Sequence, residues 1–457
     1  MHIAGLPTAG LLTAQVIALV DLFFGDTGKG HIIDWLIWHM QKLGQPIDIV
    51  VSPFGGPNAG HQFEGDGRKY TFSQIPSVIS PEVVRVCGNG KVINPIKFVA
   101  EMERLEAVGV NLDKLYISDK ATIILPYYEI VEELLEIARS ATGEAIGTTK
   151  SAIGPTYGFR AMRVALEMKE LKRMARFREK LEESALIQEG IISGLKNAII
   201  DQHSGLAEQI SQIAVPDLES VFSAYRKAAG VLAPRLIDSG KFLRDEYDKG
   251  KRILIEPTQG AGLDNFHGTY PYVTGTGTGR GAMLEGTGIN RIDFMIGITK
   301  CYATRVGAGP FPSEIDENDS LAALIRERGK EFGTMSGRSR RIGHRDLVYE
   351  KYACEMNDVE AHIVTKADVL DNVSPLLVGV KYLHRASVID HVPSDINEMT
   401  FALHKAFEVY RHETQPKRYA EVHENCRRFL EFGEDFLGRD LFAVSFSPER
   451  DGVIVKE

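Results

Sequence analysis

The chain has 457 residues, 44% hydrophobic and 25% charged, ordinary values for a protein with a large core. A formal net charge of −9 leaves no basic footprint for nucleic acid, and no uninterrupted apolar run reaches membrane-spanning length. Four scattered cysteines (Cys87, Cys301, Cys354, Cys426) have no CxxC or metal spacing, and the first 15 residues lack a signal-peptide pattern. Together these features predict reduced, mostly buried thiols and a cytoplasmic location.

Residues 16–24 form an apolar run that reads as a buried strand. It leads into Gly25-Asp26-Thr27-Gly28-Lys29-Gly30-His31, after which Ile32, Ile33, Trp35, Leu36 and Ile37 begin a helical pattern. Strand, glycine loop and helix form a phosphate cradle: the glycines (Gly28 and Gly30 among them) let the backbone approach an oxyanion. Lys29 adds a point charge. The lysine is followed by Gly30 and not by Ser or Thr, so this is not a Walker A sequence. Asp26 is the unusual member. A carboxylate repels phosphate unless a metal or a substrate proton lies between them, which marks Asp26 as a candidate Mg²⁺ ligand, general base, or both.

A second strand, 47–51, ends in Pro53-Phe54-Gly55-Gly56-Pro57-Asn58-Ala59-Gly60-His61. Loops at the carboxyl ends of strands build the site in open α/β sheets. Asn58 and His61 are its polar members, and His61 can hydrogen-bond a reacting oxygen and donate a proton. Residues 97–107 and 127–141 read as amphipathic helices separated by a strand, 115–117. The loop 146–155 offers Thr148, Thr149 and small residues for phosphate contacts. Residues 162–249 are mostly helical and carry no glycine cradle, which suits a cap or a dimer surface.

A strand at 252–256 leads to Gln259 and on to Thr274. Another strand, 294–298, precedes the glycine-rich loop 303–312. The loop 333–341 holds Thr334, Ser336, Arg338, Arg340 and Arg341 between Gly333 and Gly337. Guanidinium forks on a glycine-hinged loop suit a carboxylate. The strand 361–364 ends in Thr365-Lys366-Ala367-Asp368. A carboxylate there can accept from N1–H and the 2-amino group of guanine, which selects GTP over ATP.

The motifs GDTGKG, GGPNAGH, IGTTKSAIGP, QGAGLDNFHGTYPYVT, RVGAGPFP, SGRSRR and TKAD occur in that order. With them the chain resembles the adenylosuccinate synthetase family over nearly its whole length. The resemblance implies one α/β domain, 1–457, around a large mostly parallel sheet with helices on both faces and a P-loop-like GTP-binding architecture. The helical insert covers about 162–249, and the guanine-binding and C-terminal part 361–457. It implies ligation of L-aspartate to IMP with GTP as co-substrate, one Mg²⁺ per site, and a homodimer. Asp26 matches the base at N1 of IMP and a metal ligand, with the Gly60 carbonyl as a second ligand. His61 matches the general acid at the 6-oxygen, and Lys29 the phosphate lysine. Asn58, Thr149, Gln259, Thr274 and Arg338 match contacts to IMP, and Arg163 an arginine given across the dimer interface. Thr334, Ser336, Arg338 and Arg340 match the aspartate clamp. Lys366, Asp368 and Ser445 match the guanine readers.

The sequence departs from the family's usual pattern at several positions. Asp21-Leu22-Phe23-Phe24 stands where Gly-Ala-Gln-Trp is usual, Thr27 where a glutamate is, and His31 where a lysine is. Lys150, Ser151, Phe266, Met335 and Ser447 are further departures around the purine and amino-acid sites. Two alternatives follow. One is a divergent paralogue acting on another purine nucleotide such as (d)GMP. The other is a non-catalytic GTP-binding protein on the same fold. Retention of Asp26, His61 and the TKAD string argues against both.

Overall fold

The computed structural model describes residues 8–65, 67–333, 337 and 339–456, without the side chains of Thr8, Glu64, Asn397, Met399, Thr400 and Phe401. An eleven-stranded sheet runs through the molecule. Strand Val16–Asp21 lies near its middle, between parallel neighbours Phe294–Lys300 and Ile253–Ile255. On one side follow Ala361–Thr365, Asp440–Ser445 and the antiparallel edge strand Val453–Val455. On the other follow Ile49–Gly55, Val84–Ile93, Leu115–Ser118 and Leu236–Ile237, all parallel.

Alternation within Val16–Asp21 explains why its residues are all apolar until the last. Ile17 and Leu19 join a core with Ile32, Trp35 and Leu36 of helix Lys29–Lys42. Val16, Ala18 and Val20 join a core on the opposite face with Met283 and Ala353. Both faces of the strand are therefore covered by helices, as a parallel sheet requires. A smaller mixed sheet, built from Tyr302–Arg305, Arg341–Asp346, Leu376–His384, Ser387–Ile389 and Met399–Phe407, stands beside it.

The predicted elements fall close to the observed ones. Helix Pro95–Ala107 starts at Asn94, whose side chain accepts from Ile96 and Lys97 N–H, with proline at the first helical position. Helix Pro126–Thr142 ends at Gly143 in left-handed backbone. The first strand stops at Asp21 and not at 24, because the Asp21 carboxylate turns to accept the N–H groups of Phe23 and Gly25. Region 162–249 is mostly helical, as expected, with Met174–Gln202, Leu218–Leu232 and Ser239–Asp248. It also returns strand Leu236–Ile237 to the edge of the main sheet. All four cysteines are free and buried.

Candidate active site

Five loops leave the carboxyl ends of neighbouring parallel strands and meet over one cavity of about 1210 Å³. They follow Val16–Asp21, Ile49–Gly55, Ile253–Ile255, Ala361–Thr365 and Asp440–Ser445. The volume exceeds that of an ordinary single-ligand site and suits several small molecules together. Asp26, Gly28, Lys29, Gly30, Asn58, Gly60, His61, Thr149, Gln259, Thr274, Arg340, Lys366, Asp368 and Ser445 all line it. Arg163 does not reach this cavity; it is exposed on the outside of the chain. Thr334, Ser336 and Arg338, expected in the aspartate clamp, lie outside the described residues, as does Met335.

Helix Lys29–Lys42 begins with no side-chain cap, so its first-turn N–H groups are available to an anion. Gly25 and Gly28 hold φ of 94° and 85°, which the reversal of the loop demands and side chains resist. Four other residues that line the cavity hold left-handed backbone despite having side chains: Asp26 (61°), Gln259 (56°), Lys330 (51°) and Lys366 (60°). Each costs about 1–2 kcal/mol. Strain of this kind gathers where backbone must aim a group.

Lys29 is buried. Its ammonium pairs with Asp21 at 3.1 Å and donates to the Gln259 carbonyl at 2.9 Å, which fixes it beside the helix start. Asp26 is exposed to the cavity, and Arg340 Nε stands 3.0 Å from its Oδ2. His61 opens hairpin His61–Gly65/Arg68–Phe72. Its Nδ1 lies 2.6 Å from Glu256 Oε1 and 2.8 Å from Ser77 Oγ. Ser77 in turn donates its backbone N–H and hydroxyl to Glu256. A buried carboxylate on Nδ1 orients the imidazole and leaves Nε2 for a reacting oxygen.

The string Thr365-Lys366-Ala367-Asp368 sits at the end of strand Ala361–Thr365 and on the short turn after it. Thr365 Oγ1 donates to the Thr27 carbonyl at 2.8 Å, tying this strand to the phosphate loop. Lys366 Nζ binds the Gly329 carbonyl at 2.7 Å and Glu331 at 2.8 Å. The pocket walls around Asp368 push its carboxyl up to about 6 through desolvation. Ser445 is buried beside it and donates to the Ser447 carbonyl at 3.0 Å.

Glu331 is the charged hub of the site. Fully buried, it binds Lys300 at 3.1 Å, Lys366 at 2.8 Å, Arg340 at 2.6 Å and the Tyr302 hydroxyl at 2.5 Å. Burial opposes its charge, but the three surrounding cations prevail and hold its carboxyl below the usual range. Burial pulls Lys300 down to about 8. Neither Glu331 nor the Glu256–Ser77 pair stood out in the sequence. The signal for Glu256 was a charge closing the apolar run Ile253–Ile255; Glu331 had none. Three polar atoms of residues that line the cavity are buried without a hydrogen-bond partner within the chain: Asn58 Oδ1, Thr148 Oγ1 and Gln259 Nε2. Such groups call for a polar ligand.

Comparison with known proteins decides the family. The adenylosuccinate synthetase model matches residues 18–454. The chain belongs to the adenylosuccinate synthetase family. It is 33% identical to the adenylosuccinate synthetase of Caldicellulosiruptor saccharolyticus over 451 residues, covering 97% of this chain and 100% of that one. It is 35% identical to that of Wolinella succinogenes over 439 residues, covering 95% and 98%. A fully ligated adenylosuccinate synthetase from Plasmodium falciparum superposes with a TM-score of 0.85 at 30% identity, over 97% of this chain and all of that one. The cyanophage S-2L succinoaminodeoxyadenylate synthetase, bound to dGMP and dATP, aligns with a TM-score of 0.57 at 19% identity and shares the fold alone. The family are ligases that form a carbon–nitrogen bond, and the mostly parallel sheet expected from the sequence is the family's. Among the described residues no helix is long and apolar enough to cross a membrane.

Proposed function

We propose that the cavity joins L-aspartate to IMP at the expense of GTP through a 6-phosphoryl-IMP intermediate, with Asp26 as base and His61 as acid. The supporting observation is that Asp26 and His61 enter one cavity from separate strand-end loops, His61 backed by buried Glu256. Mere nucleotide binding needs neither group.

The oxygen at C6 of IMP is a poor leaving group. Asp26 takes the N1 proton, electron density moves to O6, and O6 attacks the γ-phosphorus as GDP leaves. His61 Nε2 donates to O6 and stabilises the charge that gathers there. The aspartate amine then adds at C6 and phosphate departs, giving adenylosuccinate. Lys29 and the helix start hold phosphate oxygens. Lys366 and Asp368 read guanine, with Ser445 at its edge. Asn58, Thr149, Gln259 and Thr274 hold IMP, and the loop of Thr334, Ser336, Arg338 and Arg340 grips aspartate, with Arg338 also reaching IMP.

Asp26 and Gly60 both line the cavity, and a carboxylate with a backbone carbonyl is a hard oxygen donor set that fits Mg²⁺. When bound, one such ion per site would neutralise phosphate charge during transfer. Arg163, exposed and turned from its own cavity, serves a second copy in a homodimer. The whole chain acts as one domain, with 162–249 as its helical insert and 361–457 as its guanine-binding part. Four free, buried thiols suit a cytoplasmic enzyme. Phosphate release with IMP, GTP and aspartate together, against each omission, tests the reading; release without aspartate, or equal release with dGMP for IMP, overturns it.

A further inference from the structure

We propose that Asp21 is the positioning residue of the glycine loop, and that its carboxylate sets how Lys29 meets a bound phosphate. This deepens the reading above and rests on it. Asp21 closes strand Val16–Asp21 and is fully buried. Its Oδ1 accepts from the N–H of Phe23 at 3.0 Å and of Gly25 at 3.1 Å. Its Oδ2 accepts from the Thr27 hydroxyl at 2.5 Å and from Lys29 at 3.1 Å. A buried carboxylate is tolerable only when donors and a cation surround it, and here they do.

The mechanism uses none of these contacts. Every residue from Phe24 to His31 lines the cavity, whereas Asp21 does not. Asp21 therefore acts through others, in two ways. Its bonds to residues 23 and 25 brace the reversal that leaves Gly25 at φ 94° and Asp26 at φ 61°. Its charge, together with the Gln259 carbonyl 2.9 Å from Lys29, holds the ammonium at the helix start. A phosphate thus meets a cation at a fixed point, already partly compensated.

The contact with Thr27 gives a sharp test. Thr27 Oγ1 lies 2.5 Å from Asp21 Oδ2. In a glutamate at 27, the γ-carbon would sit about where a threonine γ-atom sits, with its carboxyl oxygens about 2.4 Å further on by ordinary bond lengths. That carboxylate can reach the place of Asp21 Oδ2 and the same ammonium. The wall behind cannot yield: a Cβ on Gly260 would stand 2.6 Å from Asp21 Oδ1 and 2.5 Å from Gly25 N.

The experiment compares the full chain with Asp21→Asn, Asp21→Gly and Asp21→Gly/Thr27→Glu, measuring kcat, KM for GTP and IMP, GTP binding by calorimetry, and Tm. Wild-type product formation judges the underlying reading by itself; GTP binding still judges Asp21 if that fails. Asp21→Asn should lower kcat/KM for GTP about tenfold or more, the loss of a charge-assisted hydrogen bond, with KM for IMP within about twofold. The double variant should recover to within about threefold of wild type. A wild-type kcat/KM for GTP in Asp21→Asn overturns the proposal, as does a double variant no better than Asp21→Gly. Parallel losses toward GTP and IMP with a lowered Tm also overturn it, reducing Asp21 to a fold residue.

Discussion

Arg340 Nε stands 3.0 Å from Asp26 Oδ2, so the assigned proton acceptor is ion-paired to a residue of the assigned amino-acid clamp. The same guanidinium reaches Glu331 at 2.6 Å, and Glu331 also holds Lys366 at 2.8 Å. The proposed base, clamp residue and nucleotide reader are thus joined through one buried carboxylate, which would give the substrates a shared electrostatic frame before any of them arrives.

Asp26→Asn keeps the shape of the side chain and cannot take a proton. It should fold normally, bind IMP and GTP by calorimetry, and lose turnover by about 10²-fold or more. More than about a tenth of wild-type kcat in this variant would remove Asp26 from the role of base.

Arg340→Leu should raise the aspartate KM strongly, by the roughly 1.5–3 kcal/mol of a charged hydrogen bond. Glu331 would keep Lys300, Lys366 and Tyr302, so the fold should survive. Unchanged aspartate kinetics would place the clamp elsewhere.

Asp368 must be ionised to accept from guanine, and its carboxyl is pushed up to about 6 by desolvation in the pocket wall. Protonation below that value removes the acceptor. GTP affinity should therefore weaken as pH falls through about 6. Asp368→Asn should bind GTP more weakly at neutral pH and lose the portion of the pH dependence that belongs to this group, leaving that of the triphosphate itself. Identical calorimetric pH profiles for the two proteins would remove Asp368 from guanine recognition.

Glu256→Gln takes a negative charge from His61 Nδ1, 2.6 Å away. The imidazole then loses the carboxylate that holds its ring and aims Nε2 into the cavity. The kcat should fall about tenfold or more, with KM for IMP little changed. An unchanged kcat would mean that this pair only builds the loop.

Arg163→Leu should raise KM for IMP. Mixed with Asp26→Asn and allowed to exchange subunits, it should recover activity at low IMP, because a mixed dimer contains one site with both residues. At equal mixing about a quarter of all sites are intact. No recovery after verified exchange would return Arg163 to the surface.

Much of this site was legible because its devices are local. GDTGKG shows its glycines and lysine in one stretch, and TKAD closes an apolar strand. The supporting carboxylates were not legible, because their meaning is made by distance in sequence. Glu256 meets His61 across 195 residues, and Glu331 meets Lys366 across 35. Asp21 was visible as a departure from the family's pattern, yet nothing in the string says that its side chain turns back over the loop. The first strand was drawn too long for the same reason: residues 22–24 are apolar, but Phe23 and Phe24 belong to the aromatic cluster with Phe311 and Tyr349.

Strand Val16–Asp21 is made early by the ribosome, yet both its sheet neighbours, Ile253–Ile255 and Phe294–Lys300, come more than two hundred residues later. At ordinary elongation rates that interval lasts roughly 10–50 s. For that time a segment apolar up to its last residue has no native edge to pair with, and the nascent chain must be shielded or must wait in a loose collapsed form. Production of this protein should therefore respond to chaperone supply and growth temperature more than to changes at its surface.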